Sequence, residues 1–190
     1  MGGAGLAAAG TAVGLKKLDY ERVPQVAVLS SAFFVASLVH IPIGPASVHL
    51  ILNGLMGLIL GWVAFPAILV ALLLQAVLFQ YGGLTSLGVN TVIMSLPAVL
   101  CFYAFRAGAR SERSRVSLTS AFLCGFTAVL AGSLLVALAL VFTGESFLLA
   151  GKLIVAAHLP VMVIEGVVTA LCVRFLRKVK PEILEVVYAE

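Results

Sequence analysis

Residues 40–54 read His40-Ile-Pro-Ile-Gly-Pro-Ala-Ser-Val-His49-Leu-Ile-Leu-Asn53-Gly54 and set two of the chain's three histidines at one polar break between apolar runs. Imidazole is costly to strand in lipid, so two at one turn mark a candidate site. The runs on either side make lipid the relevant solvent. The 190 residues are 62% hydrophobic and 11% charged, against roughly 45–50% apolar and about 25% charged in soluble domains. The mean hydropathy is +1.18.

Working outward from that break, seven segments are apolar enough to cross a hydrocarbon core of about 30 Å: residues 2–15, 24–41, 47–64, 66–81, 87–105, 116–142 and 149–175. Breaks follow local punctuation: the charged run Lys16 to Arg22 with Pro24, then Pro42 and Pro45, Pro66, Gly82-Gly83, the Arg106 to Arg115 cluster, and Gly144. Only Trp62 to Pro66 divides the third segment from the fourth, so this pair is expected to tilt, shorten or partly unwind. The expected fold is an all-α integral membrane protein, a bundle of six to seven transmembrane helices forming one domain over residues 1–190, with 176–190 as a cytoplasmic tail.

Cytoplasmic loops near spans carry an excess of lysine and arginine. Eleven of the twelve basic residues follow spans one, five and seven, as Lys16, Lys17 and Arg22, then Arg106, Arg110, Arg113 and Arg115, then Arg174, Arg177, Lys178 and Lys180; Lys152 is the exception. With seven spans these clusters fall on one side, which puts the N-terminus outside and the C-terminus inside a cell inner (plasma) membrane. The net charge of +4 is thus a topology signature and not a nucleic-acid footprint. Cys101, Cys124 and Cys172 lie apart without Cys-x-x-Cys spacing and read as buried free thiols.

Given that orientation, His40 closes span two at its outer end, His49 opens span three at the same level, and His158 lies one to three turns into span seven from outside. Neutral imidazole suits nickel, zinc, copper and iron, so an outward-facing metal-capture site is the sharp hypothesis. Each residue also has a plainer role. His49 stands four residues before Asn53, one helical turn, so both can face one pocket, but it could equally hydrogen-bond a helix end. His40, before Ile-Pro, could cap span two. His158 could bond a neighbouring helix. Glu165 follows His158 by two turns, about 10 Å deeper, where an ionisable group is a functional candidate by default; a protonated glutamate bonded to a neighbouring helix satisfies the same sequence. Gly82-Gly-Leu-Thr-Ser-Leu-Gly88 and Asn90 share the outer side and could line the pocket as an irregular loop.

The chain has no His-Glu-x-x-His, Gly-x-Ser-x-Gly or Gly-x-x-x-x-Gly-Lys-Ser/Thr. It cannot itself hydrolyse ATP, so uphill transport needs a partner or an ion gradient. Ser47-Val-His-Leu-Ile-Leu-Asn-Gly54, Gly61-Trp62, Leu72-Leu-Leu-Gln75, Phe79-Gln-Tyr-Gly-Gly-Leu-Thr-Ser-Leu-Gly-Val-Asn90, and His158-Leu-Pro followed by Glu165-Gly together resemble the CbiM/NikM substrate-capture subunits of cobalt and nickel energy-coupling-factor transporters. The resemblance implies a non-enzymatic subunit with no prosthetic group, whose substrate is Ni²⁺ or Co²⁺. Its partners would be a transmembrane coupling subunit and cytoplasmic ATPase subunits.

The resemblance also implies a ligand set: the N-terminal amine, the amide and imidazole of a histidine at position two, and His49. Fused chelate rings of this kind favour square-planar ions. His40 is a weaker ligand candidate, and Asn53, Asn90, His158 and Glu165 are candidates for the surrounding pocket. This chain begins Met1-Gly2-Gly3. The first span would cover only about 21 Å at about 1.5 Å per residue, so an upstream extension of about a dozen residues bearing Met-His is expected. A self-contained secondary transporter or channel, with Glu165 coupling to an ion, is the competing expectation. An intramembrane metal-dependent hydrolase would need a further ligand and base.

Overall fold

The computed structural model describes residues 2–43, 46–143 and 148–184, with side chains described outside 40–48 and 143. The side chain of His40, the break at Gly144 and the tail beyond 184 therefore lie outside the described residues. The helices are α1 (Gly2–Lys16), α2 (Val23–Leu38), α3 (Asn53–Leu60), α4 (Ala64–Leu78), α5 (Leu87–Ala109), α6 (Ser114–Thr143) and α7 (Leu148–Val179). An antiparallel hairpin joins α2 to α3, with β1 at His40–Ile43 and β2 at Ala46–His49.

Among the described residues, four segments are long and apolar enough to cross a membrane: Asn53–Leu78 read through its internal turn, Leu87–Ala109, Ser114–Phe142 and Leu148–Val179. Many large apolar side chains face outward while several polar ones are buried. Leu138, Leu149, Leu171 and Phe175 are exposed, while Asn53, Gln75, Ser95, Glu165 and Thr169 are buried. Lipid is the solvent that tolerates this arrangement, and the polar groups turn inward to find partners. The chain is a multi-pass membrane protein built as a helical bundle.

The span expected over 47–64 takes a different form. Residues 46–49 are a strand, and the helix begins only at Asn53. Residues 46–49 pair back onto β1, with the Cα of His40 opposite that of His49. His49 therefore ends a hairpin instead of opening a span. The fourth segment is also separate from the third. Gly61 takes φ 54° and ψ −123°, a backbone state open to glycine, and a short 3-10 turn over Gly61–Val63 leads into α4.

Short α3 lies deep in the bundle because two of its residues have no side chain. A Cβ on Gly54 would stand 2.6 Å from the Cα of Gly125 on α6, and one on Gly57 would run into the Ala98 main chain of α5. On α1 the buried stripe is Ala7, Gly10 and Gly14, with Gly10 against Phe65 and Gly14 against Pro66. α4 lies parallel to α2, joined by Ser30 Oγ donating to Ala67 O at 2.8 Å and Gln75 Nε2 donating to Phe34 O at 3.3 Å. Gln75 Nε2 also donates to Ser37 Oγ.

The basic clusters gather at one end. Arg110 Nε donates to Leu184 O at 2.7 Å and Arg177 Nη2 donates to Glu112 O at 3.2 Å, tying the α5–α6 connection to the end of α7. The last turn of α1 sits over Trp62, whose Nε1 donates to Tyr103 Oη at 2.9 Å, one turn before Arg106. His158 lies on α7 about 24 Å from Arg174 at 1.5 Å per residue, toward the opposite end.

Candidate metal-capture site

Strand β2 delivers His49, and the chain must enter α3 four residues later. It does so through Leu52, held at φ 51° and ψ 15°. A left-handed conformation in a residue other than glycine costs about 1–3 kcal/mol and persists only where neighbours fix it. The neighbour is Glu165 of α7. Its Oε1 accepts the Leu52 N–H at 2.8 Å and the Ile51 N–H as well. Leu52 is the N-cap of α3, and leucine has no side-chain acceptor to satisfy the free N–H groups of a helix start. A side-chain oxygen from another helix supplies it.

Asn53, the first residue of α3, is fully buried. Its Nδ2 donates to Met94 O of α5 and Ala128 O of α6, both at 3.4 Å, while Oδ1 has no hydrogen-bond partner among the described residues. One turn further into the bundle, Cys124 Sγ donates to Gly54 O at 3.4 Å.

These elements enclose a cavity of about 190 Å³, lined among others by His49, Asn53, Met94, Ser133, Ile154 and His158. His49 Nδ1 lies 3.2 Å from Leu50 O, and His158 Nδ1 lies 2.8 Å from Ile154 O. When Nδ1 carries the proton and donates to such a carbonyl, Nε2 carries the lone pair, the tautomer usual for a metal-ligating histidine. Two imidazoles in a mostly apolar cavity are donors that suit a transition-metal ion better than magnesium or calcium. Among the described residues no group of three or more His, Cys, Asp or Glu could hold a metal ion.

His49, Asn53 and His158 thus meet in one cavity. The helical turn expected between His49 and Asn53 is absent; the hairpin and the left-handed turn bring them together by another route. Glu165 does not line the cavity. It stands behind it, bound to the Ile51–Leu52 main chain. Asn90 is elsewhere, in the first turn of α5, its Nδ2 donating to Ser86 Oγ at 3.4 Å at the end of a connection in which Gln80, Gly82 and Gly83 have positive φ. That connection is irregular as expected, but it does not line this cavity. His40 is placed beside His49 by strand register alone. Ser133, Met94 and Leu52 carry no local signal in the sequence, since their parts depend on main-chain positions and on packing across α5 and α6.

A family model, the cobalt uptake substrate-specific transmembrane region CbiM, matches residues 1–183. A protein of Haemophilus influenzae named for metal transport is 41% identical over 189 residues, covering 97% of this chain and 90% of that one. The fused nickel transport protein NikMN of Rhodobacter capsulatus is 34% identical over 134 residues, covering 66% of this chain and 39% of that protein. A crystal structure of a transition metal transporter superposes with a TM-score of 0.75 at 25% identity, over 93% of this chain and 87% of that one. With a family match across nearly the whole sequence and the same bundle in a solved relative, this chain belongs to the CbiM family.

Proposed function

We propose that this chain is the substrate-binding membrane subunit of an ATP-driven cobalt or nickel uptake transporter, taking the divalent ion from the outer face. The cavity shared by His49, Asn53 and His158 carries the reading, because it collects imidazole and amide donors at the end of the bundle opposite the basic clusters. Positive residues mark the cytoplasmic side, so the cavity faces outward. His49 is the principal ligand, His158 and the Asn53 amide oxygen complete the wall, and His40 is a weaker ligand from the paired strand. Further ligands would come from the Met-His extension expected ahead of Met1, as the family resemblance implies. The chain is a binding module and not an enzyme. The free energy for inward release comes from cytoplasmic ATPase subunits acting through a transmembrane coupling subunit.

The competing reading, a secondary transporter coupled through Glu165, needs that carboxylate beside the translocated ion. Glu165 instead accepts two main-chain N–H groups behind the cavity, which favours the capture reading. Calorimetric titration of the purified protein with cobalt tests it. His49→Ala should weaken binding by more than the 10–100-fold typical of losing an outer-shell partner, with helix content unchanged. Equal affinity in the two proteins would overturn the site assignment.

A further inference from the structure

We infer that Glu165 is a positioning residue for the metal site, its side chain holding the left-handed turn that aims His49 into the cavity. This role rests on the capture reading and extends it to a residue that touches neither the cavity nor the ion. Three observations carry it. His49 is separated from α3 by only three residues, and the turn among them uses a leucine at φ 51°. The N–H groups of Ile51 and Leu52 both point at one carboxylate oxygen, Glu165 Oε1, from a residue 113 positions away in sequence from Leu52. The same helix, two turns toward the other end, carries His158 into the cavity wall.

One helix therefore both lines the cavity and fixes the main chain that delivers the opposite histidine. The spacing between His49 and His158 is set by α7 through Glu165. Packing alone does not explain the residue, for Glu165 is fully buried and its Oε2 has no hydrogen-bond partner among the described residues. An apolar side chain of similar size would fill the same space without leaving a buried acceptor unsatisfied. What Glu165 contributes that such a side chain could not is the acceptor at Oε1, at a helix start that has no side-chain cap of its own.

Reach and charge can be separated by two substitutions. Glu165→Gln keeps an acceptor oxygen at the same reach and loses the charge. Glu165→Asp keeps the charge and withdraws the acceptor by one methylene. The full chain, its His49→Ala variant and these two are titrated with cobalt alone, and the visible ligand-field band of the bound ion is recorded. Glu165→Gln is expected to bind within about threefold of the parent with an unmoved band, because Glu165 is not a ligand. Glu165→Asp is expected to bind at least about tenfold more weakly, the lower end of what losing an outer-shell partner costs.

A further substitution checks the route. Leu52→Gly removes the penalty of the left-handed turn, so adding it to Glu165→Asp should restore cobalt affinity, and recover folded protein if Glu165→Asp alone does not fold. The reverse order, with binding retained in Glu165→Asp and lost in Glu165→Gln, overturns the inference in favour of a charge-based role, and so does a shifted band in Glu165→Gln. Unchanged affinity in both, or no rescue by Leu52→Gly, overturns it too. If His49→Ala binds cobalt as well as the parent, the capture reading itself has failed. Where the parent binds cobalt and His49→Ala does not, the two Glu165 variants bear on Glu165 alone.

Discussion

Asn53 shows how one side chain joins the architecture to the site. Its Nδ2 ties the start of α3 to main-chain oxygens on α5 and α6, and its Oδ1 has no partner among the described residues, at a cavity that also holds two histidines. Hydrogen bonds between membrane helices average only about 0.6 kcal/mol. Asn53→Leu should therefore lower unfolding stability in detergent by about 1 kcal/mol or less, partly offset by removal of the unpartnered oxygen. Cobalt affinity should fall by about tenfold, as for loss of an outer-shell group. A variant equally stable and equally tight in calorimetry would show that the amide serves neither role. Asn53 and His49 are legible as partners in the sequence, since both are polar at one break in an apolar run. Glu165 is marked there by its depth. The partner of Glu165 is out of the sequence's reach, because the bonded groups are main-chain amides that every residue but proline carries.

At the scale of the element, α3 is the departure from a plain row of spans. Residues 46–60 are mostly apolar, and apolarity by itself does not separate a short strand followed by a short helix from one helix. What fixes the turn after the strand is nonlocal, being the side chain of Glu165 on α7. The boundaries at Lys16, Gly82-Gly83 and the arginine cluster are legible because the punctuation there is local. The close seat of α3 makes a sharp stability prediction. A Cβ at position 57 would meet the Ala98 main chain, which cannot swing aside, whereas one at Gly5 meets nothing within 4 Å. Gly57→Ala should destabilise the protein by about 1–3 kcal/mol through overpacking, seen as a lowered thermal midpoint in detergent, and Gly5→Ala, inside α1, should not lower it. A tolerated Gly57→Ala would mean that α3 is not lodged between α5 and α6 as described.

For the whole molecule, the basic clusters and the histidine cavity mark opposite ends of one bundle, and helix polarity orders everything between them. This polarity is plain in the sequence, because eleven basic residues in three clusters leave little freedom once the spans are counted. How His158 on α7 meets His49 on the hairpin is far less so, since it depends on how α5, α6 and α7 pack. In the capture reading this chain takes up the ion and other subunits power its movement. The decisive measurement is cobalt accumulation in proteoliposomes, with and without the coupling and ATPase subunits. Accumulation should require ATP and the partner subunits, disappear with His49→Ala, and survive Glu165→Gln. Uptake by this chain alone, driven by a proton gradient without ATP and abolished by Glu165→Gln, would contradict the capture reading.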